Sequence, residues 1–227
     1  FIATTGDIKT ASDGLLDTGS ATEEYSWMDA KIGDLPITPR AGKAVELNAL
    51  WYNFLETILF LDNEIQFGLS EKEEIKTKAE LAKLSMAKFW NEEKQCLFDV
   101  IDARTPSGHS NKGHDDAIRP NQLLAVSLPF RAFSKPHERA ILTVIETELL
   151  TPTGLRTLAV NDPQYQGAYG CGFQHGVGAG HVGVGGDLGK QVFAQRALHG
   201  AHFQVGLAVD GAHGLRELVQ RRCVDDM

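Results

Sequence analysis

Cysteine is scarce in this chain of 227 residues: Cys96, Cys171 and Cys223 are far apart, odd in number and form no C-x-x-C pair. That excludes a disulfide framework and a zinc knuckle, and a reducing, cytoplasmic setting is the expectation. No uninterrupted apolar run reaches the roughly 18 residues of a membrane span. Basic residues are in deficit, 22 against 30 acidic, for a formal charge of −8. Nucleic-acid binders carry clustered Lys and Arg, so neither nucleic acid nor membrane is an expected partner, whereas an uncharged sugar is compatible. The opening residues lack an initiator Met, a basic stretch and an apolar h-region, so they read as the interior of a longer chain, a fragment without a signal peptide. With 42% hydrophobic and 23% charged residues, disordered and low-complexity classes are excluded.

What is present divides unevenly. Residues 1–171 hold every Trp and Tyr, whereas 172–227 hold 12 of the 23 glycines and five of the eight histidines, so the two parts are read separately. In the first part, Val45, Leu47, Leu50, Trp51, Phe54, Leu55, Ile58, Leu59 and Leu61 recur at helical spacing and predict a helix over 44–67, apolar on much of its circumference. Ser70 with Glu73 three residues later predicts a capped helix start. That helix runs to about Trp90, with Ile75, Ala79, Leu81, Ala82, Leu84, Ala87 and Phe89 inward. Residues 96–101 read as a short strand or extended edge, and 105–116 as a loop. Pro120 opens a helix ending before Pro129, and Pro136 lies at the start of one over 135–150. Paired helices without alternating strand–helix units give an all-α expectation.

Three polar and aromatic loops could carry chemistry: 25–31 with 38–53, 118–122, and 150–165. Sugars take flat aromatic platforms and forked polar groups, and glycosidic cleavage takes two carboxyl groups. Asp29, between Trp27 and Lys31, suits a proton donor, and Glu46, Asn48, Arg119, Asn121 and Arg156 suit hydroxyl ligands. By spacing alone the plainer alternative is solvated loop charge, with Trp51 in the core. The stretches Trp27-Met28-Asp29-Ala30-Lys31, Thr38-Pro39-Arg40-Ala41-Gly42-Lys43-Ala44-Val45-Glu46-Leu47-Asn48-Ala49-Leu50-Trp51-Tyr52-Asn53, Leu97-Phe98-Asp99-Val100, Ile118-Arg119-Pro120-Asn121-Gln122 and Leu149-Leu150-Thr151-Pro152-Thr153-Gly154-Leu155-Arg156-Thr157-Leu158 occur in order. Together they resemble the catalytic domain of glycogen debranching enzymes, the amylo-α-1,6-glucosidase family, over about residues 1–170.

The resemblance implies an all-α fold, part of an (α/α)6 toroid of the six-hairpin glycosidase type, occupying residues 1–171. It also implies inverting hydrolysis of the single glucose on an α-1,6 branch of glycogen or limit dextrin, with α-glucan as partner and no cofactor or metal. Asp29 would be the general acid. Trp27, Lys31, Arg40, Glu46, Asn48, Trp51, Arg119, Asn121 and Arg156 would line the glucose subsite. The second carboxylate is unidentified and expected to be missing, because family members continue past residue 170 with a Tyr-His-Gln-Gly segment that this chain lacks. Residues 172–227 are expected to form an irregular, aberrant or frame-shifted tail.

Other motifs have ordinary explanations. Residues 178–183 spell G-x-G-x-x-G but follow no strand, so dinucleotide binding is not expected. His199 and His202 lack a third ligand, and His109, His114, Asp115 and Asp116 read as solvated loop residues. The competing reading of the whole chain is a non-catalytic remnant or helical scaffold that binds sugar weakly or not at all.

Overall fold

A computed structural model describes residues 4–165 except 6–7, 21, 24, 29, 33–34, 67, 105–109 and 112. The expected irregular tail, Asp29, His109 and Cys171 lie outside the described residues. The described chain begins with strands β1 (Thr4–Thr5), β2 (Ile8–Thr10) and β3 (Leu16–Asp17), paired antiparallel in that order. A small hairpin of β4 (Lys31–Ile32) and β5 (Leu35–Pro36) precedes β6 (Lys43–Ala44), which runs directly into helix α1 (Val45–Ile65). Helix α2 (Lys72–Met86) ends in a 3-10 turn at Ala87–Phe89. There follow β7 (Trp90–Asn91), β8 (Cys96–Leu97), β9 (Val100–Ile101), β10 (Ser110–Asn111) and β11 (His114–Asp115). A 3-10 turn at Pro120–Leu123 leads into the short α3 (Leu124–Ser127), then α4 (Lys135–Glu148) and the hairpin β12 (Leu150–Thr151) with β13 (Gly154–Leu155).

Helices α1, α2 and α4 stand where the apolar periodicity and Pro136 predict them, whereas the helix expected from Pro120 is a 3-10 turn followed by the four residues of α3. The all-α toroid is not borne out: the described residues are mixed α and β, and every strand pairing among them is antiparallel. The cause is the shortness of the strands. A two-residue strand such as Lys43–Ala44 is too brief to show the period-two alternation by which strands are read, so the pairs fall inside stretches that look like loops. Residues 96–101, expected as one extended edge, form two strands. Cys96 and Leu97 pair with β7, while Val100 and Ile101 join a four-stranded sheet ordered β10, β11, β9, β6.

Among the described residues two compact units emerge, one within residues 4–117 and 121–141, the other within 118–120 and 142–165. The first is built on α1 and α2, whose facing sides bury Trp51, Tyr52, Leu55, Ile75, Ala79 and Ala82, with Leu16, Ile58, Leu59, Leu69, Phe130 and Ala132 packed around them. Leu81 and Leu84, expected inward on α2, are instead exposed, Leu84 at 75%, and Ser85 and Met86 take the buried positions. Ser70 forms no cap; its hydroxyl bonds Glu71, and α2 starts without a side-chain cap. The link between the helices is organised by Asp62 at the end of α1. One of its oxygens accepts from the Gly68 and Leu69 backbone N–H groups at 3.1 and 2.9 Å, and the other pairs with Lys72 at 2.8 Å. In the second unit, the Arg156 N–H donates to the Leu149 carbonyl at 2.9 Å and the Ala159 N–H to that of Ile118 at 3.2 Å.

No helix among the described residues is long and apolar enough to cross a membrane. Cys96 is a buried free thiol, and no three His, Cys, Asp or Glu side chains among the described residues cluster as a metal site.

Strand β6 reaches its neighbour through a glycine. Gly42 has φ +141°, and a Cβ there would lie 2.8 Å from Val100 Cγ1 and 2.9 Å from the Ile101 and Asp102 carbonyl oxygens. Backbone conformation and space both oppose a side chain, so Gly42→Ala is expected to lower unfolding stability by roughly 2–3 kcal/mol. Denaturant unfolding measures this, and an unchanged midpoint would contradict the close approach.

A lysine bridges the same region. Lys43 Nζ lies 2.8 Å from Asp13 and 2.6 Å from Asp102, and Lys88 adds a second cation 2.6 Å from Asp13. Burial pushes the Asp13 carboxyl up, but hydrogen bonds from Lys43, Lys88 and the Leu15 N–H outweigh it and hold the group below its ordinary 3.8. Burial works against the Lys43 ammonium, yet its two carboxylate partners raise it above 10.5. Asp13 therefore contributes stability that is complete above its unfolded value and is lost as pH falls through the folded one. The Lys43 contribution is complete below 10.5 and is lost as pH rises beyond it. Asp13→Asn should lower stability at neutral pH and flatten its decline as pH falls below the ordinary carboxyl value of 3.8. A pH series of unfolding midpoints whose acid slope matched the parent's would refute this.

Candidate active site

The segment 25–28 presents Tyr25 and Trp27 to solvent, with Trp27 42% exposed. Ser26 shapes it: its hydroxyl accepts the Met28 backbone N–H at 3.2 Å and a guanidinium N–H of Arg40 at 3.0 Å. The indole N–H of Trp27 donates to Asn121 Oδ1 at 2.9 Å. The ring is thereby pinned at its polar edge while much of its surface stays open.

Behind the segment is a buried polar chain. The Asn121 amide donates to Asp99 Oδ1 at 2.7 Å and touches the Met28 sulfur at 3.4 Å. Asp99 Oδ2 accepts from Arg40 Nε at 2.8 Å. Arg40 in turn grips Glu46 with both terminal nitrogens, Nη2 to Oε2 at 2.7 Å and Nη1 to Oε1, and reaches the Asp99 carbonyl at 3.4 Å. All five N–H donors of the guanidinium thus have acceptors. Arg40, Glu46, Asp99 and Asn121 are all buried. Burial works against the Arg40 cation, but the charges of Asp99 and Glu46 outweigh it and raise its pKa further.

The elements that position these groups are local. Glu46 stands in the first turn of α1, where the helix dipole favours a carboxylate. Asp99 sits between β8 and β9, where its N–H donates to the Asp115 carbonyl at 2.8 Å and its carbonyl accepts the Val45 N–H at 3.0 Å. Asn121 lies in the 3-10 turn after Pro120.

Of the residues singled out in sequence, Trp27, Arg40, Glu46 and Asn121 therefore come together. Asn48 and Trp51 point elsewhere. Asn48 accepts the Leu16 N–H at 2.7 Å and donates to the Leu16 and Ala44 carbonyls at 3.0 and 2.9 Å, while the buried Trp51 indole donates to the Gly14 carbonyl at 2.9 Å. Both fasten the β2–β3 turn region to α1. Arg119, buried, and Arg156, half-buried beside the β12–β13 hairpin, belong to the second unit. Asp29 and the Lys31 side chain lie outside the described residues. His114 stacks on Phe98 at 4.9 Å between ring centres, and its Nδ1 accepts the Asp102 N–H at 3.2 Å.

Sequence reasoning missed Asp99 and Ser26. Asp99 left a signal: an acid inside the apolar run 96–101 must be exposed or have a buried partner. Ser26 left none, because a serine in a polar loop is ordinary.

Comparison with known proteins bears on this geometry. The profile of the family described as amylo-alpha-1,6-glucosidase matches residues 4–183, reaching beyond the change in composition near 172. The glycogen debranching enzyme of Saccharomyces cerevisiae (strain ATCC 204508 / S288c) is 26% identical over 194 residues, covering 71% of this chain. The chain spans 12% of that relative's length. With most of the chain inside the match, the protein belongs to the amylo-α-1,6-glucosidase family.

Proposed function

We propose that this chain carries part of a glucosidase site that removes α-1,6-linked glucose from branch points of glycogen or limit dextrin with inversion, and that Asp29 protonates the departing oxygen. The observation that carries the reading is the Trp27 indole, half open to solvent and tethered at its N–H to Asn121 two residues before that acid. A fixed aromatic face followed two residues later in the chain by a carboxylic acid suits a sugar whose glycosidic oxygen must receive a proton. Inversion requires a second carboxyl group roughly 6.5–9.5 Å from the first to activate water on the opposite face.

Within this reading Trp27 and Lys31 contact glucose. Arg40, Glu46, Asn48 and Trp51, whose polar groups are engaged inside the protein, support the site from behind. Asn121 faces both ways, toward Trp27 and Asp99. The chemistry is acid–base catalysis by two carboxyl groups and calls for neither metal nor organic cofactor, and a storage-glucan substrate goes with a cytoplasmic setting.

A second reading, a non-catalytic remnant, is favoured by one feature. Leu50, Phe54, Leu61 and Ile65 of α1 are exposed at helical spacing, an apolar stripe of the kind that usually has a partner.

Incubation with a branched limit dextrin distinguishes the two. The expected outcome is glucose released first as the β-anomer, seen by proton NMR, with Asp29→Asn lowering the rate by roughly 100-fold or more. Release that Asp29→Asn leaves unaltered overturns the assignment of the acid. A thermal shift with an iminosugar but no release of glucose favours the remnant.

A further inference from the structure

The geometry points to Asp99 as a positioning residue that sets the orientation of the Trp27 indole through the Asn121 amide. This rests on the reading of Trp27 as the sugar platform. Three groups in series leave one arrangement of donors and acceptors. The indole N–H can only donate, and the Asp99 carboxylate can only accept. Asn121 must therefore turn its oxygen to Trp27, at 2.9 Å, and its nitrogen to Asp99, at 2.7 Å.

Asp99 is itself immobilised. Its carboxylate is held by Arg40 Nε at 2.8 Å, its N–H by the Asp115 carbonyl at 2.8 Å and its carbonyl by the Val45 N–H at 3.0 Å. The four-stranded sheet and the start of α1 are thus connected by short hydrogen bonds to an exposed ring. The charge on Asp99 also polarises the Asn121 amide, which strengthens the acceptor offered to the indole.

Hydrogen-bond polarity makes the idea testable separately from size and fold. In Asp99→Asn, the new amide oxygen must face the Arg40 donor, so its nitrogen faces Asn121. Asn121 then has to accept there and present its own nitrogen to the indole N–H, donor against donor. The exchange variant Asp99→Asn with Asn121→Asp restores a consistent order: Arg40 donates to the amide, the amide to the new carboxylate, and the indole to that carboxylate.

The experiment uses the full chain labelled with 15N at its three tryptophans and reads the indole N–H resonances, with that of Trp27 assigned by Trp27→Phe. Asp99→Asn and Asn121→Ala are each expected to displace the Trp27 resonance and speed its exchange with water, and the exchange variant to return it. Asn121→Ala leaves the Arg40 pairs with Glu46 and Asp99 in place, so it keeps the test available should Asp99→Asn fail to fold. On limit dextrin, Asp99→Asn should raise KM roughly tenfold with a smaller change in kcat, and the exchange variant should recover it. A Trp27 resonance unmoved by Asp99→Asn or Asn121→Ala, or one still displaced in the folded exchange variant, overturns the proposal. If the parent chain releases no glucose, the glucosidase reading fails by itself, and the indole resonances still decide the role of Asp99.

Discussion

The guanidinium of Arg40 is enclosed by two carboxylates, a serine hydroxyl and a backbone carbonyl, and the first unit is assembled around that enclosure. Arg40 faces both Glu46 and Asp99; Glu46 also stands in the first turn of α1, where the helix dipole favours a carboxylate, and Asp99 also accepts the Asn121 amide. A buried pair of this kind adds little stability relative to apolar packing, but removing one member leaves an uncompensated charge and costs about 3–5 kcal/mol. Its value here is geometric. It fixes the start of α1, the crossing between β8 and β9, the turn after Pro120 and the loop carrying Trp27 against one another.

That geometry changes how the polar residues near the start of α1 are understood. In a sugar-binding family, Glu46 and Asn48 on one helix with Arg40 before it look like hydroxyl ligands. These residues are buried and hydrogen-bonded inside the protein: Asn48 and Trp51 fasten the chain around residues 14–16, and Arg40 pairs with Glu46 behind the loop that carries Trp27. Among the described residues of that loop, Tyr25 and Trp27 present aromatic surface to solvent.

The apolar circumference of α1 has two fates. One side packs on α2 through Trp51, Tyr52 and Leu55, and Phe60 approaches Phe130 with ring centres 6.1 Å apart. The other side leaves Leu50, Phe54, Leu61 and Ile65 exposed. On α2 the same effect misleads in reverse. Leu84 has the spacing of a core residue yet is exposed, because Ala79, Ala82 and Met86 define the face that meets α1.

Helix positions and family membership were legible in the sequence, since the 3.6-residue recurrence from Val45 to Leu61 and the ordered motifs around Trp27, Arg40, Asn121 and Arg156 are properties of neighbours along the chain. The mixed α and β class was not, because strands of two residues, such as Lys43–Ala44, have no periodicity to read and exist only through partners as distant as Val100 and Ile101. Nor could sequence say that Asn121 lies between Trp27 and Asp99: the three are widely separated along the chain, and their hydrogen bonds form only once the fold has removed water from between them. Chain order determined the local elements; long-range pairing under desolvation decided which polar groups face one another, and hence which serve as framework and which stand open at the rim.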